Sequence, residues 1–337
     1  MLRATPLQRL RRILSENAKQ ETLSVIPDYT IHFVLHPLSF ILNMSVSKAN
    51  IKLVRSLQQK KFRDERGLFV AEGRKCVEEL AKAFEQVLLF VEGENATAQE
   101  IAQMSSLRTP QGVIGVFRKA GETLPNPPLK GGGETVGAIA PQATYRGGER
   151  PTNDLREEIS AMARLPINSD IHRNRTSMGL IVALDGVQDP GNLGTIIRTC
   201  DWFGVRRLVC SHDTADCYNP KVVQATMGAL ARVQVEYVDL VSWLEGIKNL
   251  NSQPSTLPIY GTLLNGRNLY EDGAIADRQQ GVIIMGNEGN GISEAVRRYI
   301  THPLLIPPYP AGADTSESLN VAIATAVTLA EFRRGVR

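Results

Sequence analysis

The stretch that most constrains the fold is Gly179 to Leu184, GLIVAL, a short continuous apolar run. Such a run reads as a strand buried on both faces, not as one face of an amphipathic element. Asp185-Gly186 and Asp189-Pro190-Gly191 then break the chain twice, as loop residues do. From Asn192 the spacing turns helical, with Leu193, Ile196, Ile197 and Cys200 at i, i+3, i+4 and i+7. Asn192 is expected to be the N-cap, its side-chain oxygen accepting from free N–H groups of the first turn. Arg198 follows under two turns later. A buried strand, a polar loop and a helix opening on Asn and Arg make a site at the strand's carboxyl end.

Beyond this helix the chain keeps alternating. Strands are expected at Arg207–Cys210, Val233–Tyr237, Pro258–Leu263, Gly281–Met285 and Leu304–Ile306. Helices are expected at Pro220–Leu230, Leu240–Leu250, Ile292–Tyr299 and Ser318–Arg334. That order implies an α/β fold with a parallel sheet covered on both faces and right-handed crossovers.

The chain of 337 residues has room for two cores. Residues 47–119 read as a smaller α/β domain. A helix starts at Ile51, Val54 and Leu57, strands lie at Gly67–Ala71, Val87–Val91 and Gly112–Phe117, and a second helix runs to Leu80. Between Lys52 and Lys75 eight basic side chains face three acidic ones. Lys52, Arg55, Lys60, Lys61, Arg63 and Arg66 are the candidate RNA contacts, and a solvated helix face is the plainer alternative. Phe62 and Phe69 among them favour nucleic acid, because aromatics stack on unpaired bases while Lys and Arg hold phosphates.

Two segments carry no chemistry. Residues 120–176 hold seven glycines and six prolines with few large apolar groups, so a flexible linker or insertion is expected, with one short helix at Glu157–Leu165. Residues 1–46 read as a poorly ordered extension. The apolar run Ile31–Leu42, interrupted by His32, His36 and Pro37, is too short to span a membrane. It lacks the cleavage pattern of a signal peptide, and Met44 is a candidate start. Four cysteines without a CxxC pair fit a reducing cytoplasm, and five scattered histidines suggest no metal site.

Three loops at strand ends are specific in combination. They are Asn192 to Arg198, then Met285-Gly-Asn-Glu-Gly-Asn-Gly291, then Ile306 through PPYPAGADTSESLN into the last helix. Singly each has a plain reading: a glycine-rich turn is common, Ser318 could be a cap, Asn320 a surface residue, and Arg198 an ion-pair partner. GxGxxG is absent after the first strand of this region, which speaks against a nucleotide-binding Rossmann enzyme.

Together, DPGNLGTIIRT, IIMGNEGNGI and LLIPPYPAGADTSESLNVAIATAVTLAEF resemble the three motifs of the SpoU (TrmH-type) RNA ribose 2′-O-methyltransferases, members of the SPOUT superfamily. The resemblance spans roughly Gly179 to Arg334, and residues 47–119 look like the substrate-binding domain found ahead of it. The third loop is longer than in the shortest members, and the insertion has no counterpart the family needs. The resemblance implies a methyltransferase domain at 177–337 with a trefoil knot, S-adenosylmethionine (SAM) as cofactor, and a homodimer formed through the C-terminal helix. It implies a catalytic set of Asn192, Arg198, Glu288, Ser318 and Asn320. Cofactor contacts are implied at Leu263, Gly286, Ile306 and Leu319, with no metal. The implied substrate is RNA, with rRNA favoured over tRNA; a non-catalytic RNA-binding or ribosome assembly factor on the same fold is the alternative, against which the presence of Arg198 and Asn320 speaks.

Overall fold

The computed structural model describes residues 46–121, 179–250, 257–310, 316 and 318–336. The extension, Met44, the insertion and its expected short helix lie outside the described residues, apart from a residue or two at their edges. Ser45–Arg337 forms one compact unit.

The N-terminal part opens with α1 (Lys48–Ser56) and α2 (Lys60–Arg66), two helices where one was expected. Gln59 adopts an extended conformation and starts the second helix, and Gly67 ends it in the left-handed region at φ 62°. Then come β1 (Leu68–Glu72), α3 (Arg74–Leu80), β2 (Gln86–Val91), α4 (Ala98–Met104) and β3 (Val113–Arg118). The sheet is antiparallel with order β1-β3-β2. Helix α4 was not expected from the sequence, although Thr97 and Glu100 close a capping box at its start.

The C-terminal part carries six strands, all parallel. They are β4 (Leu180–Asp185), β5 (Arg207–Ser211), β6 (Gln234–Val238), β7 (Ile259–Asn268), β8 (Gly281–Gly286) and β9 (His302–Leu305), in the order β6-β5-β4-β8-β7-β9. Its helices are α5 (Pro190–Trp202), α6 (Pro220–Thr226), α7 (Leu240–Leu250), α8 (Glu294–Arg297) and α9 (Val321–Arg333). The expected Pro220–Leu230 helix stops at Thr226, because Met227 and Gly228 both take positive φ before a 3-10 turn at Ala229–Ala231. One apolar cluster, with Ile181, Ile284 and Trp243, covers one face of the sheet; another, with Val182, Ile283, Leu193 and Leu329, covers the other.

That second cluster continues into the N-terminal part through Phe69, Cys76, Leu80 and Phe117. Phe69 is fully buried, with its ring centroid 5.2 Å from that of Phe84, edge to face, and 4.8 Å from that of Tyr218, tilted. It therefore belongs to the seam and is not a base-stacking surface. Arg63 corrects the sequence reading in the same way. The residue is 1% exposed and its side chain is held by Asp216, so it is not a surface RNA contact. Arg232 bridges Glu79 of α3 and Asp201 of α5 across the same seam.

Helices α5 and α9 lie side by side and parallel. Asn192 meets Asn320 at one end, and Arg333 donates to the Phe203 carbonyl at the other. Gly194 lets α6 approach α5: a Cβ there would sit 2.5 Å from the Ala225 Cβ. Among the described residues no helix is long and apolar enough to cross a membrane.

Candidate active site

Strands β4 and β8 pair at the centre of the sheet, and the chain leaves them in opposite lateral directions. Ligands in open parallel sheets collect at such a reversal, beyond the carboxyl ends of the strands. The first and second loops meet there.

Asp189, not Asn192, caps α5. Its Oδ1 accepts the Asn192 backbone N–H at 2.7 Å, and Pro190 occupies the first turn where no N–H is needed. The correction matters chemically, because it frees the Asn192 side chain. Asn192 Nδ2 donates to Glu288 Oε1 at 2.9 Å, and Asn192 Oδ1 accepts from Asn320 Nδ2 at 2.9 Å. Asn320 in turn caps α9, its Oδ1 accepting from the Ala322 and Ile323 N–H groups. So α9 begins at Val321, three residues after the expected Ser318. The four bonds fix both amide orientations and run in one sense, from the positive end of α9 to the Glu288 carboxylate.

Glu288 and Ser318 also line a cavity of about 590 Å³ together with Leu263, Gly286, Ile306 and Leu319. All four expected cofactor contacts are thus in one place. Gly286 has to be glycine, since a Cβ would lie 2.2 Å from the Gly291 carbonyl carbon and 2.3 Å from the Ile292 nitrogen. The volume suits a nucleoside-sized ligand. The lining combines apolar side chains such as Leu263, Ile306 and Leu319 with strand-end backbone at Gly286, which suits an adenosine with a polar tail. SAM fits the residues present.

Arg198 stands apart from the trio. Six residues after Asn192 it is rotated about a third of a turn around α5, and it is exposed with no hydrogen-bond or ion-pair partner among the described residues. Trp202, one turn further on the same face, is 84% exposed. Cys200 is a poor nucleophile, because burial pushes its thiol up to about 12. Among the described residues no cluster of three potential metal ligands occurs.

Asn287 and Asp185 are site residues that the sequence reading missed. Asn287 Oδ1 accepts from Gly289 and Asn290 N–H, while its Nδ2 donates to the Gly186 carbonyl at 2.6 Å. Asp185 Oδ2 accepts the Ser293 N–H at 2.7 Å. Both tie the first loop to the second. An Asn at a strand end before glycines was the available signal.

Of the basic candidates, Lys52, Arg55, Lys61 and Arg66 are exposed, and Lys60 is exposed but paired with Asp64 at 2.6 Å.

Known proteins match both parts of the chain. The SpoU rRNA Methylase family model matches residues 179–330, and a model described as the MRM3-like substrate binding domain matches residues 48–115. The 23S rRNA (guanosine(2553)-2′-O)-methyltransferase of Bacillus subtilis is 30% identical over 177 residues, 52% of this chain and 65% of that protein. The chain spans less than two thirds of the length of the curated relatives it matches. A TrmH-family protein from Porphyromonas gingivalis is 31% identical, with a TM-score of 0.62 over 86% of this chain and 99% of that one. The AdoMet-bound rRNA methyltransferase of Sinorhizobium meliloti is 26% identical, with a TM-score of 0.61 over 87% of this chain and 97% of that one. Motifs, fold and matched length together make this chain a member of the SpoU (TrmH-type) methylase family.

Proposed function

We propose that the protein transfers a methyl group from SAM to a ribose 2′-hydroxyl of structured RNA, with rRNA the favoured substrate. The observation that carries this is the bonded trio Glu288–Asn192–Asn320 at the lip of the cavity lined by Leu263, Gly286, Ile306 and Leu319. When bound, SAM supplies an electrophilic sulfonium methyl group. Everything else the reaction needs is positioning and charge placement, which neutral amides and one guanidinium can provide.

Asn192 and Asn320 hold the ribose edge, with Glu288 keeping the Asn192 amide turned. Ser318, on the cavity wall, offers a hydroxyl to the same ribose. Arg198, with its planar guanidinium fork, takes the phosphate beside the target ribose and faces the oxygen as negative charge develops on it. Lys52, Arg55, Lys61 and Arg66 hold phosphates further away, which makes the N-terminal part the RNA-gripping part. The names of the relatives support rRNA, and the matched substrate-binding region supports the N-terminal part as the gripping part.

A homodimer through α9 belongs to this reading. Ile323 is 53% exposed, Ala330 is exposed, and Trp202 stands out from neighbouring α5, so the paired helices present an apolar face that a second copy would cover. Arg198 lies on that face. Four buried, unpaired cysteines support action in a reducing cytoplasm.

The test is transfer of tritiated methyl from SAM to deproteinised total RNA, with the labelled ribose mapped by its resistance to alkaline cleavage. Label found only in protein, or none above a heat-killed control, overturns the reading.

A further inference from the structure

Ser211, the last residue of β5, and the loop that follows it to residue 219 touch both halves of the molecule. On one side Asp216 Oδ2 accepts from Arg63 Nε at 3.1 Å and Nη2 at 2.7 Å, while Asp216 Oδ1 accepts the Tyr218 N–H at 2.9 Å. Arg63 Nη1 donates to the Leu57 and Gln58 carbonyls, both at 2.9 Å, so the side chain grips the turn between α1 and α2. These helices carry Lys52, Arg55 and Lys61. On the other side the Ala215 N–H donates to the Val187 carbonyl at 2.9 Å, and the Gly186 N–H donates to Ser211 Oγ at 2.8 Å. The Gly186 carbonyl accepts from Asn287, the residue before Glu288.

We propose that Arg63 and Asp216 are positioning residues for methyl transfer: the buried pair fixes the 211–219 loop, and the loop fixes Gly186–Val187 and hence the trio. This rests on the reading of the trio as a methyl-transfer centre. The pair is 2% and 13% exposed in its side chains, so it is shielded from water and salt. A guanidinium making four directed bonds defines an orientation, which an apolar contact of equal area does not. Buried ion pairs contribute little net stability against apolar replacements. Retaining one where the substrate-gripping helices meet the catalytic loops therefore points to geometry as its contribution. A displacement of about 1 Å at the reacting centre can cost about a hundredfold in rate.

The test uses the full chain with Asp216→Asn, Arg63→Met and the double variant Arg63→Met/Asp216→Leu, whose apolar pair keeps the fold if a single change does not. Three quantities are read: single-turnover methyl transfer at saturating rRNA and SAM, dissociation constants for both ligands, and deuterium exchange in peptides covering 185–193 and 211–219. Each variant is expected to lose about tenfold or more in the saturated rate, with ligand affinities within about threefold. Exchange should quicken in both peptides. The double variant should be no slower than the worse single one, as expected of residues acting through one contact. Glu85→Gln, which breaks the exposed Arg118–Glu85 pair on the same half of the molecule, should change neither readout. Faster exchange confined to 211–219, or an unchanged saturated rate, overturns the proposal. If the parent transfers no methyl group to RNA, the functional reading fails, and exchange at 185–193 alone then decides whether the pair positions this loop.

Discussion

Asn320 serves two masters: its Oδ1 caps α9 through Ala322 and Ile323, and its Nδ2 holds the Asn192 carbonyl oxygen at 2.9 Å. The two jobs separate by substitution. Asn320→Asp keeps an oxygen for the cap, so the melting temperature should hold within a few degrees. It replaces the amide donor with a carboxylate facing the Asn192 carbonyl, and methyl transfer should fall by about a hundredfold. Asn320→Ala should lose the cap as well, at about 1 kcal/mol. Equal activity of Asn320→Asp and parent would disconnect Asn192 from the chemistry.

Arg198→Ala tests the substrate side. Arg198 is exposed and unpaired among the described residues, so its removal strands no buried partner. Folding and SAM binding should match the parent, while transfer drops by about a hundredfold or more. Arg198→Lys should restore little, since an ammonium lacks the planar fork. Turnover within a few-fold of the parent in Arg198→Ala would move the search for an activating group to Glu288.

The basic helices should set RNA affinity. Lys52, Arg55 and Lys61 are exposed, and replacing all three with alanine should weaken rRNA binding and make its salt dependence shallower, by about one unit of log–log slope for each phosphate no longer neutralised. SAM affinity should stay put. Filter binding between low and moderate salt reads both effects, and an unaltered slope returns these side chains to a solvated face.

Phe69→Ala should behave differently from those changes. The ring is fully buried against Phe84, Phe117 and Tyr218 in the seam. Its loss should cost about 3–5 kcal/mol of stability in denaturant titration and leave the salt slope unchanged. A stability loss below about 1 kcal/mol would show the seam to be loose.

Alkaline pH should destabilise the fold. Burial pushes the Cys76 thiol up to about 11 and those of Cys200 and Cys217 up to about 12. In the unfolded chain these thiols ionise near pH 8.5. A raised folded pKa means stability that is complete below the unfolded value and lost as pH climbs towards the folded one. Melting temperature should therefore fall between about pH 9 and 12. Cys→Ser at all three positions should flatten that limb, and an unchanged slope in that variant would assign it to other groups.

The sheet and its site were legible where local pattern and tertiary role coincide. GLIVAL is apolar because both faces of β4 are covered, and Gly286 is glycine because two backbones touch there. Arg63 and Phe69 were misread for one reason. A basic or aromatic side chain beside many others looks like a surface from sequence, and only the partner 153 residues away, Asp216, turns Arg63 inward. The cap was misplaced by three residues, because Asp189 and Asn192 are equally good caps and Pro190 tips the choice to the first. The family resemblance had grouped Asn192, Glu288 and Asn320, but the Asn192–Asn320 bond itself was not legible, since nothing local reports a contact between positions 128 residues apart.

The pairing of β4 with β8 carries a consequence for how the chain acquires its shape. Strand β4 can meet β5 across a short connection, but its other neighbour is about a hundred residues downstream and must slot in beside β7. Contacts of that sequence separation close late and slowly, because the intervening chain loses its freedom before they form. Asn192, Glu288 and Asn320 straddle this last closure. In a refolding experiment SAM-binding fluorescence should lag behind the recovery of helical signal, making the cofactor a reporter of the final kinetic phase.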